Sequence, residues 1–294
     1  MESAVFMTPH SDLLNLGCGM KFHRAWVNVD YNKTGQDVLP WDLRKGIPFP
    51  NASFRVVYHS HVLEHYNKND ALKFLKECRR VLQGNGILRV VVPDLEAIAR
   101  TYLDVLENTD SGTPAGAENY TWMLLELYDQ TVRNYSGGAM AEYLLQQEIS
   151  NEEFVIMRCG VEAKKMRDIV CSKQKGISSS DASSSPESMH KFRNVLAFIM
   201  RIPSVVREIL LKKMLGAEYE ALEIGRFRLS GEVHQWMYDR YSLRCLLESC
   251  GFVEILQRNA FDSYIPNWSV YGLDTELDGS IYKPDSMYME AIKL

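Results

Sequence analysis

Residues 13–20 read Leu13-Leu14-Asn15-Leu16-Gly17-Cys18-Gly19-Met20, a short apolar run that leads into a turn with two glycines. Such a run, bounded by glycine, predicts a buried strand from Asp12 to Leu16. Glycines in the turn allow the backbone to approach a ligand and to adopt conformations that a side chain forbids. Because turn glycines are common, the pattern indicates a ligand site only if neighbouring segments supply the other parts of one.

The segments that follow alternate between strand-like and helical patterns. Between Asn69 and Gln83, apolar residues recur at helical spacing, which predicts a surface helix with Gly84 as its stop signal. Further strand-like runs are Trp26 to Asp30, Phe54 to His59 and Gly86 to Val92. Strands that alternate with helices pair in parallel through right-handed crossovers. The sequence therefore predicts an α/β fold with a doubly wound, Rossmann-like, mostly parallel sheet.

The spacing of the apolar residues becomes helical near Leu95, and the α/β pattern returns near Gly231. These two changes divide the chain into three parts. Residues 1–104 form the first, Rossmann-like part, residues 105–230 a large helical insertion, and residues 231–294 the part that completes the sheet. A serine-rich tract near 176–188 predicts a disordered loop within the insertion. In the last part we expect a helix with Ser242 as N-cap and Gly251 as C-cap, and two strands. These strands are Phe252 to Leu256 and Ser286 to Lys293.

Composition and charge narrow the class of protein. The chain has 294 residues, of which 46% are hydrophobic and 24% charged, and its formal net charge is -5. That length allows a large core, and the negative charge disfavours nucleic acid as a partner. The first residues lack the pattern of a secretory leader, and the apolar runs are too short to span a bilayer. We therefore expect a cytoplasmic protein without stable membrane insertion.

Cysteine spacing predicts free thiols. The six cysteines fit neither a metal-binding Cys-x-x-Cys pair nor a compact disulfide framework. They are Cys18, Cys78, Cys159, Cys171, Cys245 and Cys250.

Two carboxylates follow strand-like segments beside the glycine turn. The second strand ends in Asp30, where a carboxylate can accept hydrogen bonds from both hydroxyls of a ribose, and a third edge ends in Trp41-Asp42-Leu43. Together with the glycine turn, these acids predict a nucleoside site. A dinucleotide fingerprint needs a third glycine where this chain has Phe22, and an acid about 20 residues further on. Asp30 follows Gly19 by only 11 residues, and the chain has no glycine-lysine phosphate loop. The predicted ligand has a ribose and lacks phosphates.

Four motifs in succession resemble a known enzyme family. The succession LNLGCG, WVNVD, LPWDLRKGIPFPNASFRVVYHSHVLEHY and KECRRVLQGNGILRVVVPDLE is similar to the class I S-adenosylmethionine-dependent methyltransferases. Within that family, the chain most resembles the type 11-like predicted methyltransferases, which are common in bacterial glycan and natural-product gene clusters. The resemblance covers roughly residues 11–100 and resumes over GEVHQWMYDRYSLRCLLESCGF and KPDSMYMEAIK. Combined, the motifs are specific to the fold and to S-adenosylmethionine as cofactor, whereas for the acceptor they are only suggestive.

By position, the resemblance implies roles for a set of residues that follow the first, second, third and fourth strands. Asn15 stands where an acid is usual, but its amide carbonyl can still bind the amino group of the methionine moiety. The implied contacts are Asn15, Leu16, Gly17, Cys18 and Gly19 to methionine, Asp30 with the adjoining Tyr31 to ribose, Asp42 and Leu43 to adenine, and Ser60 and His61 to the sulfonium end.

The segment His61-Val62-Leu63-Glu64-His65 also matches the H-x-x-E-H pattern of a zinc peptidase. On a helix, two histidines four residues apart share a face and could bind a metal ion. The segment directly follows a strand within the methyltransferase succession, however, so we predict no metal site. For Glu64 and His65, a capping and packing role and a substrate-site role remain equal alternatives.

The expected reaction is O-methylation of a hydroxyl group on a sugar or secondary metabolite. A hydroxyl needs a base to accept its proton, and histidine has a suitable pKa of about 6.5. We prefer His234, because Trp236, Tyr238 and Asp239 could supply an acceptor wall and an orienting carboxylate. A structural role for His234 is the competing interpretation. The other candidate bases are His61, His65 and Asp94.

Two other functions remain open at this point. The first is N- or C-methylation of a natural-product scaffold, and the second is a binding module that holds S-adenosylmethionine without catalysis. The oligomeric state is also open, with a homodimer as one candidate.

Residues 189–216 interleave apolar residues with lysine and arginine, as in a basic amphipathic helix pair. We expect a cap whose apolar face packs on the Rossmann-like part. Peripheral contact with a membrane or a partner is the alternative.

Overall fold

The apolar runs of the sequence form one seven-stranded sheet in the computed structural model, which describes residues 7, 9–109, 114–174 and 205–294. The strands are β1 (Leu13–Leu16), β2 (Val27–Asp30), β3 (Val38–Pro40), β4 (Phe54–Ser60), β5 (Leu82–Pro93), β6 (Phe252–Arg258) and β7 (Ser286–Lys293). Their order is β3-β2-β1-β4-β5-β7-β6. The first five strands are parallel, and β7 is antiparallel to both β5 and β6. The predicted doubly wound, mostly parallel sheet is therefore confirmed.

Helix α1 (Lys68–Val81) shows how the sequence pattern builds the core. Its buried side chains lie on one face and pack against the sheet, because apolar residues recur at helical spacing. The helix begins after Asn67, whose side chain accepts hydrogen bonds from the backbone of Asn69 and Asp70. It ends at Leu82, where the chain enters β5 directly, so the prediction of Gly84 as a stop signal is wrong. Strand pairing with β4 ends the helix two residues earlier than the glycine.

Helix α9 (Arg240–Ser249) is capped by a different residue from the one predicted. Asp239 is the N-cap, and its carboxylate accepts hydrogen bonds from the backbone of Tyr241 and Ser242. Ser242 returns a hydrogen bond as the third helical residue, with its hydroxyl oxygen 3.0 Å from the Asp239 nitrogen. At the other end Cys250 is the C-cap, and Gly251 follows it with φ +83°. Both predicted caps are therefore displaced, Ser242 by three residues and Gly251 by one.

The segment between β5 and α9 forms a helical layer with its own core around Trp122, Met123 and Val155. Its helices are α2 (Leu95–Asn108), α3 (Pro114–Val132), α4 (Gly138–Leu144), α5 (Glu152–Cys159), α6 (Val161–Gln174), α7 (residues 205–215) and α8 (Glu218–Arg228), while α10 (Trp268–Tyr271) follows β6. Among the described helices, none combines the length and the hydrophobicity that crossing a membrane requires. The predicted serine-rich loop lies outside the described residues.

Only part of the predicted basic amphipathic segment is described, because residues 189–204 lie outside the described ranges. In α7, apolar side chains face solvent, including Ile209 at 62% exposure and Met214 at 81%. The prediction that this apolar face packs on the Rossmann-like part is therefore wrong for α7, because no described element covers these exposed side chains.

Two contacts bring the insertion to the carboxyl edge of the sheet. A Cβ atom on Gly160, between α5 and α6, would lie 2.7 Å from the carbonyl oxygen of Tyr282. After α8, the backbone nitrogens of Gln235 and Trp236 donate to the carbonyl oxygen of Glu64, at 2.7 and 3.2 Å. The returning chain therefore lies directly beside the end of β4.

Candidate active site

The glycine turn after β1 requires glycine at two positions. Gly17 and Gly19 have φ values of +62° and +52°, which favour glycine. A Cβ atom on Gly17 would also overlap Cγ2 of Val62. The backbone nitrogens of Gly17 and Cys18 both donate to the carbonyl oxygen of Val29, at 2.8 and 3.2 Å. The turn is therefore held against β2, with the carboxyl ends of both strands side by side.

Asp30 uses its carboxylate to fix this turn. Oδ2 accepts a hydrogen bond from the backbone of Gly19 at 2.8 Å, and Oδ1 accepts one from Asn32 at 3.0 Å. A carboxylate oxygen has a second lone pair, so each can also accept a hydrogen bond from a ligand. The side chain is only half-buried. Asp30 can therefore hold the turn and meet a diol at the same time.

Asp42 and Tyr31 lie further along the same edge. The Asp42 carboxylate receives two hydrogen bonds from the Arg44 guanidinium, at 2.9 and 3.0 Å, which lower its pKa. Tyr31 is 66% exposed, and the Arg44 guanidinium lies 5.8 Å from the centre of its ring. Leu43 begins a short 3₁₀ helix of one turn, and Asp42 is its N-cap. This group forms an outer rim and does not line the deeper cleft.

A cleft of about 260 Å³ opens beside the glycine turn. Of the residues predicted for the cofactor, it is lined by Asn15, Gly17, Cys18, Gly19, Ser60 and His61. The Leu16 side chain lies in the sheet core instead, because it points away from the cleft. Asn15 donates both amide hydrogens, to the carbonyl oxygens of Lys21 and the Asn28 side chain at 3.2 Å each. Only its own carbonyl oxygen can therefore meet a ligand.

The remaining walls of the cleft were not predicted. They are formed by Met20, Lys21, Tyr58, Glu162, Leu273, Tyr282 and Lys283. Glu162 comes from α6, and it accepts a hydrogen bond from the Tyr282 hydroxyl at 3.1 Å. Lys21 forms an ion pair with Glu276 at 2.8 Å, and its ammonium lies 4.7 Å from the Tyr282 ring centre. The cleft therefore presents both cationic and anionic side chains.

Below the cleft, a buried ion network holds the wall in place. Tyr58 donates to Asp274 at 2.6 Å, and Asp274 also accepts two hydrogen bonds from Arg89, at 2.9 and 2.7 Å. Arg89 donates further to Glu290 at 2.8 Å. All four side chains are buried. The loop that carries Leu273 is therefore tied to β4, β5 and β7.

Comparison with known proteins finds a family model that matches the segment around the cleft. The family model of the methyltransferase domain matches residues 18–90, the segment that contains the glycine turn, Asp30 and the end of β4. The chain carries a methyltransferase domain. Over these residues the predicted resemblance to the S-adenosylmethionine-dependent methyltransferases is confirmed, and the strand order confirms the predicted fold.

The relatives of this methyltransferase domain match a limited part of the chain. A probable S-adenosylmethionine-dependent methyltransferase of Mycobacterium tuberculosis is 33% identical over 101 residues, which cover 28% of this chain and 36% of the relative. The counterpart from a second strain matches equally. A solved S-adenosylmethionine-dependent methyltransferase from Archaeoglobus fulgidus is 13% identical with a TM-score of 0.36, covering 98% of this chain and 88% of that one. The chain thus spans 36% of the length of the curated relatives that it matches.

His61 is the predicted histidine that the methyltransferase domain brings to the cleft. It follows β4 with φ +53°. Its Nε2 atom lies 2.8 Å from the Ser286 hydroxyl oxygen, and its Nδ1 atom lies 3.3 Å from Oε1 of Glu64. Burial, followed by the charge of Lys283, lowers the pKa of His61 well below its usual value. The ring is therefore neutral and has one nitrogen in contact with a hydroxyl group.

His65 and His234 lie together on the side of Glu64 away from the cleft lining. Their ring centres are 4.9 Å apart with an interplanar angle of 82°, and Nε2 of His234 is 4.0 Å from Oε1 of Glu64. Burial raises the pKa of Glu64 to about 8 and lowers the pKa of His65 to about 4. Burial also lowers the pKa of His234 well below its usual value. The predicted base His234 is 6% exposed and does not border the cleft.

The remaining predicted catalytic groups have structural roles. The Asp94 carboxylate caps α2 by accepting a hydrogen bond from the Ala97 backbone at 3.1 Å. Asp239 caps α9, so it does not orient His234. Tyr238 is buried at 3% exposure, and Trp236 contacts the Lys68 ammonium, 3.8 Å from its ring centre. The predicted acceptor wall next to His234 is therefore wrong, because these side chains serve helix capping and packing.

Proposed function

We propose that this chain binds S-adenosylmethionine and transfers its methyl group to a hydroxyl oxygen of a small molecule, either a sugar or a secondary metabolite. The observation that carries the proposal is the cleft at the carboxyl ends of β1 and β4, which is lined by the glycine turn and by His61. Doubly wound folds bind ligands at this edge of the sheet.

The residues present suit each part of the cofactor. Asp30 has free lone pairs for the ribose hydroxyls, and the carbonyl oxygen of Asn15 can accept from an ammonium group. In the lining of the cleft, Glu162 offers a second acceptor, while Lys21 and Lys283 offer cations for a carboxylate. This donor set complements the zwitterionic amino-acid end of S-adenosylmethionine. The bound cofactor supplies a methyl group that is already electrophilic.

The protein's remaining tasks are to position the acceptor and to hold its proton. His61 borders the cleft, and its Nε2 atom already meets the Ser286 hydroxyl at hydrogen-bond distance. An acceptor hydroxyl in the cleft could make the same kind of contact, and we therefore assign the base role to His61 in place of His234. The net charge of -5 favours a small acceptor over a nucleic acid.

The test is turnover with methyl-labelled S-adenosylmethionine and a panel of sugars and hydroxylated metabolites. We expect S-adenosylhomocysteine and a product whose methyl group resonates as a methyl ether in nuclear magnetic resonance spectra. His61→Gln should lower turnover by about 10²- to 10⁴-fold, with a much smaller effect on cofactor affinity. His10→Gln, at an exposed histidine away from the cleft, serves as the matched control.

Other products would contradict the proposal in distinct ways. A labelled N-methyl or C-methyl group would assign the chain to another class of acceptor. Tight binding of S-adenosylhomocysteine with no turnover on any acceptor class would favour a binding module. Full activity in His61→Gln would remove the base role from this residue.

A further inference from the structure

Glu64 is a buried carboxyl group that forms no hydrogen bond within the described part of the chain, and its neighbour Nδ1 of His61 lies 3.3 Å from Oε1. It lies in the single 3₁₀ turn Leu63–His65 that follows β4, and its side chain has no exposed surface. Neither of its carboxylate oxygens has a hydrogen-bond partner among the described residues. Burying a polar group without a partner costs several kcal/mol, so a group of this kind usually has a ligand or a function.

Two histidine nitrogens beside Glu64 are also buried without partners. They are Nδ1 of His65 and Nδ1 of His234. The ring of His65 forms a hydrogen bond with the carbonyl group of Val233, which leaves Nδ1 as its free acceptor atom. A histidine that binds a metal ion commonly donates its other ring nitrogen to a backbone carbonyl in this way.

The three side chains are close enough to share one ion. One potential ligand atom from each of Glu64, His65 and His234 lies within 4.8 Å of the other two. Ligand atoms about 2.1 Å from a tetrahedral zinc ion lie about 3.4 Å from one another. Small rotations of the side chains would therefore bring the set to coordination distance. The backbone is already fixed, because Glu64 accepts hydrogen bonds from Gln235 and Trp236.

We propose that Glu64, His65 and His234 form a binding site for one divalent transition-metal ion of the zinc class. Two imidazoles and one carboxylate form a donor set that suits zinc and the ions next to it, whereas magnesium prefers oxygen ligands. Lys283 and Asp285, of opposite charge, both act on Glu64, while the cations Lys283 and Arg133 act on His65 and His234.

The site differs from the pair of histidines that the sequence pattern brought into consideration. The His61 side chain borders the cleft and contacts Ser286. The His65 ring instead packs against the ring of His234, which follows the insertion in sequence. A bound ion would join the turn after β4 to the segment that returns from the helical layer. Because Glu64 also lies 3.3 Å from His61, the ion would bind next to the residue that borders the cleft.

Metal binding is tested directly on the tag-free wild-type chain. The protein is stripped with a chelator, dialysed against Zn²⁺, Co²⁺, Fe²⁺ or Mg²⁺, and analysed for metal content by mass spectrometry. We expect one equivalent of zinc or cobalt per chain and no retained magnesium. The visible spectrum of the cobalt form should be that of a nitrogen and oxygen site, without a sulfur-to-cobalt charge-transfer band.

Two variants locate the ion. Glu64→Gln keeps the size of the side chain, and His234→Gln removes a ring nitrogen, so each should weaken cobalt binding at least tenfold. His10→Gln, at an exposed histidine, should bind as the wild type does. Circular dichroism reports whether each variant is folded. If either variant is unfolded, the stoichiometry and the cobalt spectrum of the wild type decide the question.

Three results would overturn the proposal. They are a wild-type chain that retains none of the four ions, a spectrum with a cysteine-to-cobalt band, and folded Glu64→Gln and His234→Gln variants that bind cobalt normally. The measurements include no S-adenosylmethionine and no turnover. A failed metal site therefore leaves the proposed methyl transfer unaffected, and a failed methyl transfer leaves the metal result unaffected.

Discussion

At the residue scale, Asp30 connects the glycine turn to the ligand edge of the sheet. Its carboxylate accepts hydrogen bonds from the backbone of Gly19 and Asn32 and remains half-buried. The same two oxygens are available to the hydroxyls of a ribose. Loss of the side chain would therefore remove ligand contacts and a support of the turn together.

We expect Asp30→Ala to bind S-adenosylhomocysteine at least tenfold more weakly. A hydrogen bond to a charged group contributes about 1.5 to 3 kcal/mol, which corresponds to about one to two orders of magnitude in affinity. Isothermal titration calorimetry gives the comparison, with Asp37→Ala at an exposed position nearby as the control. Equal affinities for Asp30→Ala and the wild type would remove Asp30 from the site.

Gly17 gives a second prediction at the same scale. Alanine at this position would overlap Val62 and would have to adopt φ +62°. We expect Gly17→Ala to lower the free energy of unfolding by about 1 to 3 kcal/mol and to weaken cofactor binding. Gly84→Ala is the control, because a Cβ atom there would have no neighbour within 4 Å. Equal urea midpoints for the two variants would contradict the expected strain.

At the scale of elements, the two possible roles of Asp239 can be separated. Its carboxylate caps α9, whereas the sequence suggested that it orients His234. We expect Asp239→Ala to lower the free energy of unfolding by about 1 kcal/mol and to leave kcat unchanged. Denaturation and steady-state kinetics measure the two effects. A large fall in kcat with unchanged stability would restore the orienting role.

Buried strands could be predicted from the sequence because each is a short run rich in apolar and β-branched residues. The predicted runs Trp26 to Asp30 and Phe54 to His59 each differ from β2 and β4 by a single end residue. The predicted run Gly86 to Val92 omits the first four residues of β5 and its last residue. The earlier residues of β5 join the sheet through irregular pairing near Phe54, which no local pattern encodes. For α9, Asp239 and Ser242 are both good N-caps, and the backbone angles decide between them.

The residues of the candidate site, like the strands, could be predicted only in part. Gly17, Gly19 and His61 could be found because they follow strands, and the carboxyl ends of parallel strands meet at one edge. Glu162 gave no signal, because it reaches the cleft only through the packing of the α5–α6 turn on Tyr282. The approach of His234 to Glu64 likewise depends on the path of the whole insertion.

At the scale of the whole molecule, the Arg89 network ties three strands and a loop together. We expect Arg89→Met to lower the free energy of unfolding by about 3 to 5 kcal/mol, because Asp274 would remain buried without its cation and Glu290 would retain only Arg258, 3.4 Å away. Arg100→Met, which breaks the exposed pair with Glu96, should cost less than about 1 kcal/mol. Urea denaturation compares the two variants. A similar decrease in the free energy of unfolding for both would contradict the expectation that the buried ion pairs contribute more than the exposed pair.

The dependence of stability on pH should carry a contribution from Asp285. Burial, and after it the charge of Glu126, raises the pKa of Asp285 to about 6. The charges of Lys283 and Arg158 lower this pKa but do not outweigh burial. An acid whose pKa is higher in the folded state stabilises the fold below its unfolded pKa of 3.8 and loses that contribution as the pH rises through 6. Relative to Asp285→Asn, the wild type should therefore lose at most about 3 kcal/mol between pH 4 and pH 7. Parallel stability curves for the two proteins would contradict this assignment.

The place of β7 in the sheet has a consequence for synthesis on the ribosome. β5 lies between β4 and β7, but β7 is translated about two hundred residues later, after the helical layer and β6. A nascent chain that has formed β1 to β5 therefore presents the bare edge of its longest strand for many seconds, since translation adds roughly 5 to 20 residues each second. An unpaired edge is a template for pairing with other chains. Chaperone capture of ribosome-bound chains should accordingly persist until residues 286–293 emerge from the exit tunnel.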